Sequence, residues 1–215
     1  MTQSLILLTT GGLAREVMDA VEAGGEFTVA ALLDDDPRRQ GIRVRGVPVV
    51  GPSEAAVDHP DSRLLVCAGS GRVRATIVAR LASLGVEPAR YATVIHPSVW
   101  VPRSCTVGEG TVLLANVVMT TDVTVGRHVV AMPNAVFTHD DHLDDFATVC
   151  AGVTLGGNVQ IGRAGYLGMN SSVRERCGIG ENAVLGMGSV LLQDLPAGES
   201  WVGSPARPIN HFVGA

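Results

Sequence analysis

His139, Asp140, Asp141 and His142 follow one another in the second half of the chain. A histidine titrates near neutral pH and can take a proton from an attacking amine or hydroxyl group. A carboxylate beside it can hold the ring and stabilise the imidazolium. His139 is therefore a candidate general base, and Asp140 is its candidate partner. A single histidine is more often an exposed residue without a role, so this hypothesis depends on the surrounding structure.

Two features near the N-terminus suggest a place for a substrate. Gly11 and Gly12 lie where an apolar segment meets a helical pattern, and amide groups at a helix N-terminus suit phosphate. Asp34 and Asp35 follow the second apolar segment, where a carboxylate can accept a hydrogen bond from a ribose hydroxyl or a base N–H. The GxGxxG fingerprint of dinucleotide sites is absent. Both features have an ordinary alternative, a tight or solvated turn.

The four cysteines do not favour disulfide or thiolate-metal chemistry, because they are scattered without CxxC spacing. We interpret them as small buried side chains. They are Cys67, Cys105, Cys150 and Cys177.

A strict six-residue repeat must position the histidine segment. Every sixth residue from Ile95 to Leu191 is apolar, and the fifth residue of nearly every hexad is small or β-branched. Asp141 is the only charged residue at a fifth position, and such a break in a local rule is where function is expected. The second position is often glycine, which we interpret as a residue that turns the chain with a positive φ.

A fixed period of about six residues, held over about a hundred residues, is typical of a parallel β-helix, whose coils bury their inward residues by stacking. An α-helix cannot keep this phase. The first ninety residues instead alternate strand and helix patterns, which predicts a small Rossmann-like α/β domain. We expect strands at 4–9, 28–33 and 63–68, helices at 13–23 and 72–84, and domains spanning 1–92 and 93–215, the second with a C-terminal tail.

Composition limits the choice of partners. The 215 residues include 46% hydrophobic residues, enough to bury a core, and carry a net charge of −5 without a run of Lys or Arg. This charge pattern gives no electrostatic basis for binding nucleic acid or an anionic membrane, and no apolar segment approaches the roughly 18 residues of a membrane span. We expect a cytoplasmic protein that acts on a small molecule.

The whole layout resembles the sugar O-/N-acetyltransferases of the sialic-acid and bacillosamine type. The similarity covers nearly the entire chain, and its most specific parts are His139-Asp140, the segment GGNVQIG at 156–162, GMGSV at 186–190 and VGSPAR at 202–207. The resemblance implies a left-handed β-helix with three hexads in each coil. It also implies acetyl-CoA as co-substrate, no metal, a nucleotide-linked sugar as acceptor, and a homotrimer with the coenzyme groove between subunits.

The same resemblance assigns roles to residues. It implies that His139 is the base, that Asp140 is its partner, and that Gly157, eighteen residues later and so one coil above, offers its amide to the developing oxyanion. The implied acyl-CoA residues are Gly157, Asn158, Gly168, Met169, Gly186, Met187, Ser204, Pro205 and Arg207. The implied acceptor residues are Gly11, Gly12, Asp34, Asp35, Gly69 and Ser70.

The chain departs from this family on the acceptor side. Thr10 stands where the family has the first of its glycines, and Leu13 stands where the family commonly has a histidine. Gly71 stands where an asparagine is usual, and Met132-Pro133 stands where an asparagine is often found. The acceptor atom, nitrogen or oxygen, is left open.

Two other functions also remain open. One is a zinc enzyme of the γ-carbonic-anhydrase kind using His128, His139 and His142, and the other is a non-catalytic trimeric scaffold.

Overall fold

A computed structural model describes residues 2–209 of the chain, so the end of the expected C-terminal tail, 210–215, lies outside the described residues. The first elements are β1 Gln3–Leu8, α1 Gly12–Gly24, β2 Phe27–Leu33, β3 Arg43–Val44, β4 Val47–Gly51, β5 Arg63–Val66 and α2 Gly71–Ser83. The five strands form one sheet in the order β3-β4-β2-β1-β5. All pairs are parallel except β3 with β4. The predicted Rossmann-like domain is confirmed, whereas β3 and β4 were not predicted.

Helix α1 is amphipathic and joins the two parts of the chain. Its apolar residues recur at helical spacing, and those on one face are buried. They form one apolar cluster with residues of β1 and β2 and with Val94, Val112 and Val130 of the following β-helix. Gly25 ends the helix with φ 68°, and its N–H donates to Val21 O.

Residues 94–191 form a stack of two-residue strands, and from Thr106 onward four-residue turns separate these strands. These strands are β6 Val94–Ile95, β7 Thr106–Val107, β8 Val112–Leu113, β9 Val118–Met119, β10 Thr124–Val125, β11 Val130–Ala131, β12 Val136–Phe137, β13 His142–Leu143, β14 Thr148–Val149, β15 Thr154–Leu155, β16 Gln160–Ile161, β17 Tyr166–Leu167, β18 Ser172–Val173, β19 Gly178–Ile179, β20 Val184–Leu185 and β21 Val190–Leu191. A closing antiparallel hairpin follows, β22 Ser200–Gly203 and β23 Ala206–Pro208.

Each strand pairs in parallel with the strand one coil further, as Thr124 pairs with His142. Three sheets result, and the predicted coil of three hexads is confirmed. The domain-facing sheet contains β6, β8, β11, β14, β17, β20, β22 and β23, the second sheet β7, β10, β13, β16 and β19, and the third sheet β9, β12, β15, β18 and β21. The first and fifth residues of the hexads fill the interior, as the repeat predicts.

The turns correct one detail of the sequence interpretation. A positive φ occurs at the fourth residue of each hexad, every sixth residue from Gly110 to Gly188, and not at the second. Asn and Asp are frequent there because they tolerate this conformation. The second-position glycines have another cause: a Cβ on Gly168, for example, would lie 2.5 Å from Met187 N in the next coil.

Three edges separate the sheets, and we name them by their residues. The histidine edge, between the third and second sheets, carries Thr121, His139, Gly157 and Glu175. The methionine edge, between the domain-facing and third sheets, carries Pro133, Ala151, Met169 and Met187. The domain edge, between the second and domain-facing sheets, carries Arg127, His128, Asp145 and Phe146.

Within residues 2–209, neither α1 nor α2 has the length and apolar character needed to cross a membrane.

Candidate active site

His139 and Asp140 form a pair on the histidine edge, in the turn between β12 and β13. His139 Nδ1 lies 2.8 Å from Asp140 Oδ2, and the two side chains are 63% and 59% exposed. Asp140 occupies the fourth position of its hexad with φ 64°. The carboxylate favours the tautomer with the proton on Nδ1, so Nε2 is free to accept a proton.

Gly157 lies against the free side of this ring. A Cβ on Gly157 would be 2.3 Å from His139 Nε2, so only glycine allows the imidazole to take this position. The two coils are also joined by their backbones, since Asn158 N donates to His139 O over 2.8 Å. The structure thus brings His139, Asp140, Gly157 and Asn158 together on one edge.

The other predicted acyl-CoA residues lie on the opposite edge of the third sheet. Gly168, Met169, Gly186 and Met187 belong to turns of the methionine edge, and Ser204-Pro205 continues that edge in the turn between β22 and β23. The side chains of Met169 and Met187 are 48% and 72% exposed. Arg207 lies on β23 and is exposed. Within one chain, these residues do not meet His139.

The glycine turn and Asp34 contact each other at the carboxyl ends of β1 and β2. Thr10 N and Thr10 Oγ1 donate to Asp34 Oδ2 over 2.8 and 2.6 Å, and Asp36 N donates to Asp34 Oδ1 over 3.0 Å. Gly11 and Gly12 are exposed beside this contact. Both Asp34 oxygens are therefore engaged within the protein, and Thr10 supplies a bond that glycine could not.

Asp35 is also engaged, by a cation and an amide. It pairs with Arg80, and its Oδ1 accepts from Ser53 N over 2.8 Å. Burial raises the pKa of Asp35, but the hydrogen bonds from Arg80 and Ser53 N outweigh it, so the pKa lies below its ordinary value. Arg80 also pairs with Glu54 over 3.0 Å.

A cleft of about 520 Å³ opens beside Asp35 at the N-terminal part of α2. It is lined by Asp35, Ser70, Arg72, Val73, Thr76, Ile77 and Arg80. Its two arginines were not singled out in the sequence. Arg72 directly follows the Gly69-Ser70-Gly71 turn, whereas Arg80 lies in the last turn of α2, so their spacing in the sequence did not indicate that both line one cleft.

Arg74 holds this part of α2 on the β-helix. It is 0% exposed and donates to the carbonyls of Ala68 and Gly69 at the start of α2. It also donates to His128 O, Phe146 O, Ala147 O and Thr148 Oγ1 of the β-helix. Sequence reasoning missed it, although an arginine in register with Ile77 and Leu81 on a buried helix face was a visible anomaly.

The three histidines proposed for zinc do not form a cluster. His128 is buried on the domain edge, edge-on to Tyr91 and stacked on Phe146 with ring centroids 4.6 and 5.0 Å away. Burial is the main cause that lowers the pKa of His128 to about 4. His142 instead faces Asp144 over 3.4 Å. Among residues 2–209, no group of three or more His, Cys, Asp or Glu side chains could hold a metal ion.

Comparisons with known proteins agree with this architecture. The PglD N-terminal domain family matches residues 4–81. UDP-N-acetylbacillosamine N-acetyltransferase of Bacillus subtilis is 29% identical over 118 residues, which cover 53% of this chain and 52% of that protein. The match therefore spans about half the length of this curated relative.

Two solved structures are similar over almost their whole length. The acetyltransferase domain of PglB from Neisseria gonorrhoeae superimposes with a TM-score of 0.87 at 28% identity and covers 97% of this chain and 100% of its own. PerB from Caulobacter crescentus, in complex with CoA and GDP-perosamine, has a TM-score of 0.88 at 30% identity, covering 98% of this chain and 99% of its own. The predicted left-handed β-helix is confirmed.

A small Rossmann-like domain on a left-handed β-helix, with a histidine–carboxylate pair on one edge, defines a hexapeptide-repeat acyltransferase. The chain belongs to the sugar acetyltransferase family of the sialic-acid and bacillosamine type.

Proposed function

We propose that this protein transfers the acetyl group of acetyl-CoA to an amino group of a nucleotide-linked sugar, with His139 as general base. The observation that carries the proposal is the His139 ring, oriented by Asp140 and seated against Gly157. The relatives support it: PglB was solved with acetyl-CoA, and PerB with CoA and a nucleotide-linked amino sugar. The named N-acetyltransferases favour nitrogen over oxygen as the acceptor atom.

His139 Nε2 takes the proton of the amine as its nitrogen attacks the thioester carbonyl. The Gly157 amide stabilises the resulting oxyanion, and Asp140 stabilises the imidazolium. When the tetrahedral species collapses, the C–S bond breaks and the imidazolium returns the proton to the leaving thiolate. The products are the N-acetyl sugar and CoA, and His139 ends neutral.

The acceptor half of the proposal places the nucleotide in the cleft beside α2. Arg72 and Arg80 line this cleft, and the start of α2 adds backbone amides, an arrangement that suits phosphate groups. Asp34 is bonded to Thr10 and so supports the glycine turn, whereas exposed Gly11, Gly12 and Gly69 leave backbone groups within reach of a ligand. In this proposal Gly11, Gly12 and Gly69 contact the nucleotide, whereas Asp34 supports the turn.

The acyl-donor half requires a second subunit, so we propose a homotrimer. The histidine edge of one chain would meet the methionine edge of the next and complete the coenzyme groove. The outward residues of the third sheet, which lies between these edges, are uncharged: Val118, Val136, Thr154, Ser172 and Val190. Cytoplasmic location, where acetyl-CoA is available, is part of the proposal and fits four free, buried cysteines.

His139→Ala tests the chemistry, with His142→Ala as matched control. Thiol release from acetyl-CoA is measured with a panel of nucleotide-linked amino and hydroxy sugars. We expect His139→Ala to lower kcat by about 10²- to 10⁴-fold while CoA still binds, because only the base is removed. His142→Ala should retain nearly full turnover, since His142 faces Asp144 on the second sheet.

The outcome separates the proposal from its rivals. A wild-type protein that binds CoA but shows no turnover with any acceptor would favour the non-catalytic scaffold. Equal loss in both histidine variants would contradict the role of His139. Turnover only with hydroxyl acceptors would move the reaction from N- to O-acetylation.

A further inference from the structure

Asp141 is a carboxylate inside the β-helix, directly beneath the histidine edge. It is 1% exposed, although charged side chains are almost never buried without a partner. Its Oδ2 accepts from Thr138 N, and its Oδ1 accepts from Val159 N, both over 2.8 Å. Thr138 immediately precedes His139, and Val159 lies two residues after Gly157. The carboxylate therefore joins the coil of the proposed base to the coil of the proposed oxyanion donor.

Other fifth-position side chains show that joining coils does not require a charge. Cys105 Sγ accepts from Val123 N over 3.4 Å, and Thr111 Oγ1 accepts from Val129 N over 3.0 Å. Each uses a neutral group and accepts only from the amide of the next coil, and Thr111 Oγ1 also donates to Gly126 O of that coil over 2.9 Å. Asp141 additionally bonds an amide of its own turn, which needs a second acceptor. The second bond, which fixes the turn that carries His139, therefore explains why a carboxylate is buried here despite its unfavourable desolvation.

We propose that Asp141 is a positioning residue whose carboxylate holds the His139 turn in register with Gly157, so that the imidazole stays over the Gly157 backbone. This inference rests on the proposed acetyl transfer. Asn158 N donates to His139 O, which is the backbone bond between the two turns at this edge. Asp141 holds the turns on both sides of that bond, so its removal should allow the exposed His139 ring to move away from Gly157.

The charge surroundings of Asp141 predict a pH effect of stated sign. Burial raises the pKa of Asp141 to about 6, and the bonds from Val159 N and Thr138 N only partly oppose this. His139 and Asp140 are the charged neighbours on its own turn, and the residues stacked below and above it, Val123 and Val159, are uncharged. As the pH falls through about 6, the carboxyl takes a proton and loses an acceptor. The proposed positioning therefore weakens on the acid side.

The test compares Asp141→Ala and Asp141→Thr with the wild type, and Thr111→Ala serves as control. We expect both Asp141 variants to lower kcat by about 10- to 100-fold with KM values for both substrates changed less than about threefold. Threonine can still accept from Val159 N, as Thr111 does from Val129 N, so Asp141→Thr should fold stably yet stay slow. Thr111→Ala loses both bonds of Thr111 Oγ1 to the next coil on the domain edge and should keep its kcat.

The pH dependence of kcat provides a second measurement, because a merely structural role of Asp141 would not change it. Protonation of the Asp141 carboxyl removes a bond that the variants already lack, so the acid limb of log kcat near pH 6 should be steeper in the wild type than in the Asp141 variants. A wild-type kcat and slope in Asp141→Thr would overturn the inference.

A measurement without turnover keeps this test separate from the proposed function. NMR titration of the wild type should show the Thr138 and Val159 amides shifting together near pH 6, and this transition should be absent in Asp141→Thr. The His139 ring signals of that variant should show a mobile ring. If the two amides do not titrate, or the His139 signals are unchanged, the inference fails even when the enzyme is inactive with every acceptor tried.

Discussion

Glycines of the β-helix fall into groups that should respond differently to an added methyl group. A Cβ on Gly156 would lie 2.5 Å from Glu175 N, an atom of the next coil's backbone that cannot move alone. A Cβ on Gly157 would meet only the tip of the exposed His139 ring. The same substitution in two adjacent residues therefore separates packing from chemistry.

Gly157→Ala should lower kcat by about 10- to 100-fold, because it displaces the imidazole from the proposed reacting position. Its free energy of unfolding should change by less than about 0.5 kcal/mol, as expected for a change with little effect on packing. Gly156→Ala should instead cost about 1–3 kcal/mol through overpacking. Urea unfolding and steady-state kinetics on both variants check this. If Gly157→Ala is destabilised but fully active per folded molecule, the contact has no catalytic role.

Residue spacing predicted the contacts within one edge but not those between distant elements. The eighteen-residue separation of His139 and Gly157 sets their stacking once the coil length is known, and they lie in contact. Asp34 looked free to bind a nucleotide because its partner, Thr10, is 24 residues away on another turn. Asp141 stood out by type, but its two amide partners became visible only in the folded turn.

At the scale of elements, α2 connects the proposed acceptor cleft to the β-helix. Its first residue, Gly71, approaches the β-helix so closely that a Cβ would be 2.1 Å from Phe146 O. Arg74 then donates to carbonyls on both sides of the junction, and no carboxylate within residues 2–209 pairs with it. Burial lowers the pKa of Arg74 to about 10, so it stays charged at neutral pH. This helix therefore sets where the proposed nucleotide cleft lies relative to the histidine edge.

Arg74→Leu should lower the free energy of unfolding by about 3–5 kcal/mol, because several buried carbonyls lose their donor at once. Arg80→Leu, on the same helix, removes exposed ion pairs to Asp35 and Glu54 and should cost less than about 1 kcal/mol. Chemical denaturation compares the two. Equal stability losses would show that Arg74 does not hold the junction.

The strands and helices were predictable to the extent that they are periodic. The six-residue period placed the β-helix strands, and alternating apolar segments placed β1, α1, β2, β5 and α2. Strands β3 and β4 were missed because a two-residue edge strand and its short partner carry no clear period. The positive φ was assigned to the wrong turn position because glycine occurs there for a different reason, the close approach of the next coil.

At the scale of the molecule, the separation of two edges is the feature with the largest consequence. His139 and Gly157 lie on the histidine edge, whereas Met169 and Met187 lie across the uncharged third sheet. A coenzyme that contacts both groups of residues must either cross this sheet within one chain or bridge two chains. In the proposed closed ring of three subunits, each third sheet would face a neighbour, and every site would draw residues from two chains.

Mixing two inactive variants distinguishes these arrangements. His139→Ala removes the base, and Met187→Glu places a carboxylate where the proposed groove holds an anionic coenzyme. In trimers reassembled from equal amounts of both, random assembly gives about a quarter of the interfaces an intact histidine edge and an intact methionine edge, so about a quarter of wild-type activity should return. A site within one chain would restore nothing, because every chain carries one defect. Reassembly of each variant alone controls for residual activity, and sedimentation confirms that mixed trimers form. Mixed trimers without recovered activity would exclude the shared site.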